Sequence, residues 1–220
     1  EAAARFSLIA AGQSREIDGL VRVTASQAVS AYLLPPVLES IRDEHPGIEI
    51  ELVVSNAARD LRRREADIAV RHFRPQGDDL VARLLKETSE AHLYGTPEYL
   101  KRIGRPKTPE ALAKRGLVLG FDDSDALATA LHAAGYPFAS GSSPIRTEDH
   151  LVQWELAKRD MGLCVMMQEV GDNERSMRRA LPDAPPIIRI PIWLVSHREL
   201  RTNRRIGVVF DALAQALAAG

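Results

Sequence analysis

Cysteine is almost missing from this sequence. One residue in 220, Cys164, is of this type, so no disulfide can close within the chain and a disulfide-stapled scaffold is excluded. Cys164 sits in the apolar run Met161–Met167, where a thiol is expected to be buried and structural rather than nucleophilic. Net charge is missing too: 29 basic residues meet 30 acidic ones, giving −1 at neutral pH. A chain so balanced gives no sign of binding nucleic acid directly. No apolar run reaches the roughly 18 residues needed to cross a bilayer, and no signal-peptide pattern opens the chain. The start, Glu1-Ala-Ala-Ala4, lacks Met and reads as that of a fragment or a processed form.

Patterns for catalysis and metal binding are absent as well. The chain holds neither a Gly-x-Ser-x-Gly elbow nor a phosphate-binding Gly-x-x-x-x-Gly-Lys loop. Its six histidines, His45, His72, His92, His132, His150 and His197, are not spaced from one another, from Cys164 or from carboxylates as zinc ligands on a helix would be. Glu148-Asp149-His150 is a local cluster, but neighbours in sequence do not share a helix face. Capping and first-turn charge on a helix explain it better than a metal. No catalytic residue, metal or cofactor is expected.

What remains is an ordinary globular mixture, 45% hydrophobic and 27% charged, organised around Leu20–Arg71. An apolar strand (Leu20–Thr24) and polar turn (Ala25–Gln27) lead into a long apolar helix over Val29–Glu44. Pro46-Gly47 stops it. A second strand (Ile48–Val54), a polar turn (Ser55–Ala58), a charged helix (Arg59–Glu65) and a short strand (Asp67–Arg71) follow. Two successive β-α-β units predict a mainly parallel sheet covered by helices. Pro35-Pro36 inside the first helix predicts a bend or restart. Ligands of open parallel sheets bind beyond the carboxyl ends of the strands.

The wording of this stretch is also distinctive. Leu20-Val-Arg-Val-Thr24, Leu33-Leu-Pro35, His45-Pro-Gly-Ile-Glu-Ile50 and Ala66-Asp-Ile-Ala-Val-Arg71 together resemble the start of the effector-binding domain of LysR-type transcriptional regulators. Leu93-Tyr-Gly-Thr-Pro-Glu-Tyr-Leu100 resembles that family's passage into its second subdomain. The resemblance extends over nearly the whole chain. Where the family has a strand of the type Gly-x-Gly-Ile-Ala followed by Leu-Pro, this chain reads Met161-Gly-Leu-Cys-Val-Met-Met167 without the proline.

The resemblance implies an α/β, two-lobed fold of the type 2 periplasmic-binding-protein kind, with two Rossmann-like subdomains joined by a two-strand hinge. Residues 1–17 would be a linker-helix tail and connector, 18–93 with 191–220 subdomain I, and 94–190 subdomain II. The β-α alternation supports this independently. Downstream, Asp79–Lys86 and Glu90–Gly95 read as separate strands. Thr96-Pro97 and Thr108-Pro109 read as capped helix starts. Gly116–Phe121 reads as a buried strand, Asp122–Ala134 and Glu148–Arg159 as helices, and Gly162–Met166 as another buried strand. Gln168–Leu181 reads as a partly helical outer loop, and Ile187–His197 as a strand broken by Pro191. Asn203–Ala219 has apolar residues at helical spacing.

Polar residues at strand ends and helix starts suit a small polar ligand, because the first N–H groups of a helix are unpaired and carry partial positive charge. In the first half these are Ser26 and Gln27, Ser55 and Asn56, and His72 and Phe73. In the second they are Phe121 and Asp122, Asp149, and Met166 with Met167. The resemblance places effector contacts at Ser26, at Ser55 or Asn56, and at Phe121, in a cleft between the lobes. Ser26 equally suits a plain helix cap, and the two methionines suit a core. Asp122 and Glu148 would repel a carboxylate, so a ligand bearing hydroxyl or amine groups is as well matched as an anion.

The expected function is effector sensing for a bacterial, cytoplasmic LysR-type regulator. Its partners would be a small-molecule effector and further copies of the chain as homodimer or homotetramer. DNA would be reached through an upstream helix-turn-helix domain absent from this chain, and no membrane partner is expected. A periplasmic solute-binding protein of a transporter is the alternative on the same fold; an enzyme would need a nucleophile and base that the sequence does not show.

Overall fold

The computed structural model describes residues 17–56, 66–75, 77–121, 125–139, 143 and 145–219. The linker-helix tail expected at the start of the chain, the expected helix Arg59–Glu65 and the candidate Asp122 lie outside the described residues. The chain divides into two compact units. One runs through Thr88 and resumes at Ile190; the other is Ser89–Arg189.

In the first unit β1 (Gly19–Ala25) lies between β2 (Ile48–Val54) and β3 (Ile68–Arg71), parallel to both. Val21, Val23 and Ala25 are fully buried. Arg22 points the other way and meets Glu51, its register partner on β2, at 2.6 Å. Both side chains are about half exposed, so this pair adds little stability. The helix between β1 and β2 is interrupted where the two prolines stand. Val29–Leu33 forms a π-helical turn, and α1 (Pro35–Glu44) restarts with proline in its first turn. Neither proline can donate to the carbonyl a turn before it. The backbone widens instead, and the Leu34 N–H reaches Val29 O at 3.0 Å.

The strand β9 (Ile188–His197) ends antiparallel beside β3, so this sheet is mixed. The last helix, α7 (Arg204–Ala219), lays Ile206, Val209, Phe210, Leu213 and Leu217 against α1 and β1. That is the apolar stripe its spacing predicts.

The second unit begins inside β4, one unbroken 16-residue strand (Leu80–Gly95) rather than two. Then come α2 (Pro97–Arg102), α3 (Pro109–Arg115), β5 (Gly120–Phe121), α4 (Ala126–Ala133), β6 (Arg146–Thr147) and α5 (His150–Ala157). They are followed by β7 (Cys164–Met167), α6 (Gln168–Gly171), β8 (Arg178–Arg179) and β9 (Ile188–His197). The predicted caps form. The hydroxyl oxygens of Thr96 and Thr108 accept from the N–H groups of Tyr99 at 3.0 Å and Ala111 at 3.2 Å. Pro191 does not interrupt β9; it precedes the ladder with β3, which starts at Trp193. The predicted Gly116–Phe121 strand shrinks to the Val118↔Leu163 bridge and β5. Gln168–Leu181 is not an outer loop, because Val170, Gly171, Met177, Ala180 and Leu181 are buried and β8 pairs with β4.

Candidate functional site

In the first unit three parallel strands end side by side, at Ala25, Val54 and Arg71. The residues just beyond them meet. The Ser26 hydroxyl lies 3.2 Å from His72 Nε2, across 46 positions of sequence. Gln27 and Asn56 bond twice: the Gln27 N–H donates to Asn56 Oδ1 at 3.1 Å, and Asn56 Nδ2 donates to Gln27 Oε1 at 2.7 Å. The Ser55 N–H is spent on Ala25 O at 3.0 Å. Four of the residues chosen from sequence are therefore joined by side-chain hydrogen bonds, drawn from three strand ends.

The details differ from the expectation. Ser26 forms no cap bond to the helix; its hydroxyl turns to His72. Asn56, from the end of β2, supplies the acceptor for the first helical N–H instead. Ser26, Gln27, Ser55 and His72 are half-buried, and Asn56 is exposed. Phe73 is 38% exposed. Beneath them Arg71 is buried, donating through Nη2 to Thr24 Oγ1 at 3.2 Å and through Nη1 to Val70 O. A half-buried rim of hydroxyl, amide and imidazole groups over a buried guanidinium can orient a small polar molecule by hydrogen bonds.

The second-unit candidates are mostly committed elsewhere. Asp149 caps α5, its Oδ1 accepting from the N–H groups of Leu151 at 2.8 Å and Val152 at 3.0 Å. Met166 and Met167 are buried in β7, at 0% and 4% exposure. Phe121 is half-buried and stands edge-on to His150, centroids 5.7 Å apart. Burial pushes the His150 imidazole below its ordinary pKa. A neutral ring then donates from Nε2 to Val165 O at 2.8 Å. Cys164 is fully buried beside Gln153, and burial drives its thiol far up; it is no nucleophile. Since Asp149 acts as a cap, Asp149→Ala is expected to cost about 1 kcal/mol of stability. Urea unfolding checks this, and an unchanged midpoint would refute the capping role.

Sequence reasoning missed a polar network in this unit. Tyr94 Oη donates to Asp172 Oδ1 at 2.9 Å, and Arg179 holds both oxygens of the same carboxylate. The Arg179 hydrogen bond is the main reason the Asp172 carboxyl lies below its usual range. Tyr94 and Asp172 are 78 positions apart, so no local pattern announces the contact.

With this geometry in view, the comparisons are consistent. The family model described as LysR substrate binding domain matches residues 14–218. The HTH-type transcriptional regulator CrgA of Neisseria meningitidis serogroup C is 26% identical over 205 residues, covering 91% of this chain and 68% of that protein. The solved regulatory domain of CrgA, a LysR-type transcriptional regulator, superposes with a TM-score of 0.79 at 26% identity, over 91% of this chain and 99% of that one. The full-length virulence activator AphB of Vibrio cholerae shares the fold, with a TM-score of 0.74 at 18% identity over 97% of this chain and 74% of that one. With nearly its whole length under one family model and a regulatory domain as structural counterpart, this chain belongs to the LysR substrate-binding domain family.

Proposed function

We propose that the chain senses a small molecule for a LysR-type transcriptional regulator and that the effector docks on the Ser26, Gln27, Asn56 and His72 rim. The observation that carries this reading is the pair of cross-strand links, Ser26 to His72 and Gln27 to Asn56. They gather polar groups where an α/β sheet presents ligands. Binding would act by population shift, the effector favouring one arrangement of the regulator's copies. DNA contact belongs to a helix-turn-helix segment of the complete regulator, as the names of the relatives suggest, and assembly is as homodimer or homotetramer. The transporter reading has no such support, since the curated relatives are transcriptional regulators. Enzymatic turnover is not part of the reading.

A thermal-shift screen of the chain against small carboxylates, amino acids, sugars and aromatic metabolites tests it. A ligand at 100 times its dissociation constant adds about 2.7 kcal/mol, a clear rise in Tm. Ser26→Ala is expected to weaken that shift with little change in the ligand-free Tm; Asn56→Ala, which also removes the acceptor of the first helical N–H, is expected to weaken it and to lower the ligand-free Tm as a lost cap does. A shift untouched by both variants moves the site away from this rim.

A further inference from the structure

Within the first unit the sheet runs β2-β1-β3-β9 and ends on the first half of β4, Leu80–Thr88. The strand β7 pairs with β4 only at Ala91–Tyr94. Among the described residues, no strand therefore lies along the outer edge of Leu80–Thr88. Ala82, Arg83, Leu84, Glu87 and Thr88 are exposed, Leu84 at 39%. An exposed strand edge is a template for a further strand, and proteins commonly guard it with charge. Arg83, Lys86 and Glu87 are charges of mixed sign, so they repel some strand registers and favour others.

Backbone direction narrows the choice. Along an antiparallel strand, successive residues aim their N–H and C=O groups at alternate edges. The Ala91 and Leu93 carbonyls accept from the N–H groups of Ile187 at 2.8 Å and Ala180 at 2.7 Å, on the side of β8 and β9. The Asp79 carbonyl, of the same parity, accepts from the Arg198 N–H at 2.9 Å. Odd positions thus bond toward β9, and the even positions Ala82, Leu84, Lys86 and Thr88 present outward.

Two identical antiparallel strands set even positions opposite even ones only when their two-fold axis passes through a residue. An axis at Arg83, Lys86 or Glu87 puts like charges directly opposite each other, which is unfavourable. An axis at Leu84 leaves Arg83 against the partner's Leu85. An axis at Leu85 sets Arg83 opposite the partner's Glu87 and Glu87 opposite the partner's Arg83, with the two copies of Leu85 face to face. Leu84 then exchanges backbone bonds with the partner's Lys86, and Ala82 with the partner's Thr88. Such self-complementarity is what an isologous two-fold contact requires.

We infer that the outer edge of β4, Ala82–Thr88, is a docking surface for the same edge of a second copy of this chain, paired antiparallel about Leu85. This rests on the assembly proposed above and gives it a surface.

Sedimentation equilibrium and amide hydrogen exchange over a wide range of protein concentration test it, on the chain, Arg83→Glu, Glu87→Arg and the two combined. The Leu84 and Lys86 amides are expected to exchange more slowly as the chain self-associates. Each single variant turns two opposite-charge pairs into two like-charge pairs and is expected to weaken association about 10-fold. The combined variant restores the pairing with signs reversed, to within about threefold of the unsubstituted affinity. Both positions are exposed, so the Tm of the dissociated chain is expected to stay the same in all three variants.

Association that both single variants leave unchanged overturns this surface while the assembly reading stands. Weakening in both without recovery in the combined variant overturns the pairing about Leu85. A chain that stays monomeric at every concentration overturns the surface and the assembly together.

Discussion

Replacing Gly171 with alanine is expected to destabilise the protein by about 3 kcal/mol, the upper end of what overpacking a core costs. Helix propensity alone predicts the opposite, since alanine gains roughly 1 kcal/mol over glycine inside a helix, and Gly171 ends α6. Sterics decide the matter. A Cβ at position 171 would lie 2.6 Å from Cε1 of Tyr94 and closer still to Cζ and Cε2. The ring has nowhere to go. Tyr94 is fully buried, its hydroxyl is held by Asp172, and it stands edge-on to the fully buried Trp154, centroids 5.8 Å apart at 85°. Urea unfolding of Gly171→Ala, Tyr94→Leu and the double variant forms a cycle. The double variant should cost well under the sum of the two, because the smaller side chain frees the space the methyl group needs. Additive costs would mean that Gly171 is required for a reason other than the Tyr94 ring.

Position 171 also marks where the sequence stopped being legible. Gln168–Leu181 is polar and basic, and polarity with no period reads as surface. In the fold only a few positions of that stretch, Val170, Gly171, Met177, Ala180 and Leu181, turn inward onto β4, while Asp172, Arg175 and Arg178 stay in water. The same lack of pattern split β4 in two, since Arg83–Thr88 is half-exposed backbone that alternates no apolar face.

By contrast, the three parallel strands between Gly19 and Arg71 and the helix between the first two were readable because they combine apolar strands with sharp local signals. Pro35-Pro36 marked the helix restart, and Thr96-Pro97 and Thr108-Pro109 marked two capped helices. The rim was half legible. Strand order says that Ser26, Gln27, Asn56 and His72 end up neighbours. It does not say that Ser26 would bond His72 rather than cap its helix, nor that Asn56 would take over the cap. Those choices are made by residues 29 and 46 positions apart, beyond any local rule.

Acidification is expected to weaken the fold in a window set by two histidines, the buried His92 and the half-buried His150. His150 lies below its ordinary pKa chiefly because burial penalises the imidazolium, against smaller opposing pulls from the Val165 carbonyl and Asp149. His92 is lowered first by burial and then by the positive charge of Arg179, with Glu90 and Asp172 pulling the other way. In the unfolded chain both titrate near 6.5. Between that value and the lower folded value, the unfolded state binds more protons. Stability is therefore complete above about pH 7 and falls as pH drops through 6.5 toward the folded pKa, by up to about 1.4 kcal/mol per pH unit for each histidine.

Asp172 acts in a separate window. Its depressed carboxyl contributes stability above the ordinary carboxylate range near 4, and that contribution is lost only below it. His150→Gln keeps a side-chain N–H that can donate to Val165 O and removes the titration. Its urea midpoint is expected to vary less than that of the unsubstituted chain between pH 7 and 5, with the remaining slope coming from His92. Equal slopes in the two proteins would place the His150 proton on the folded state. The packing of that ring against Phe121 and its bond to the β7 backbone would then have to accommodate an imidazolium.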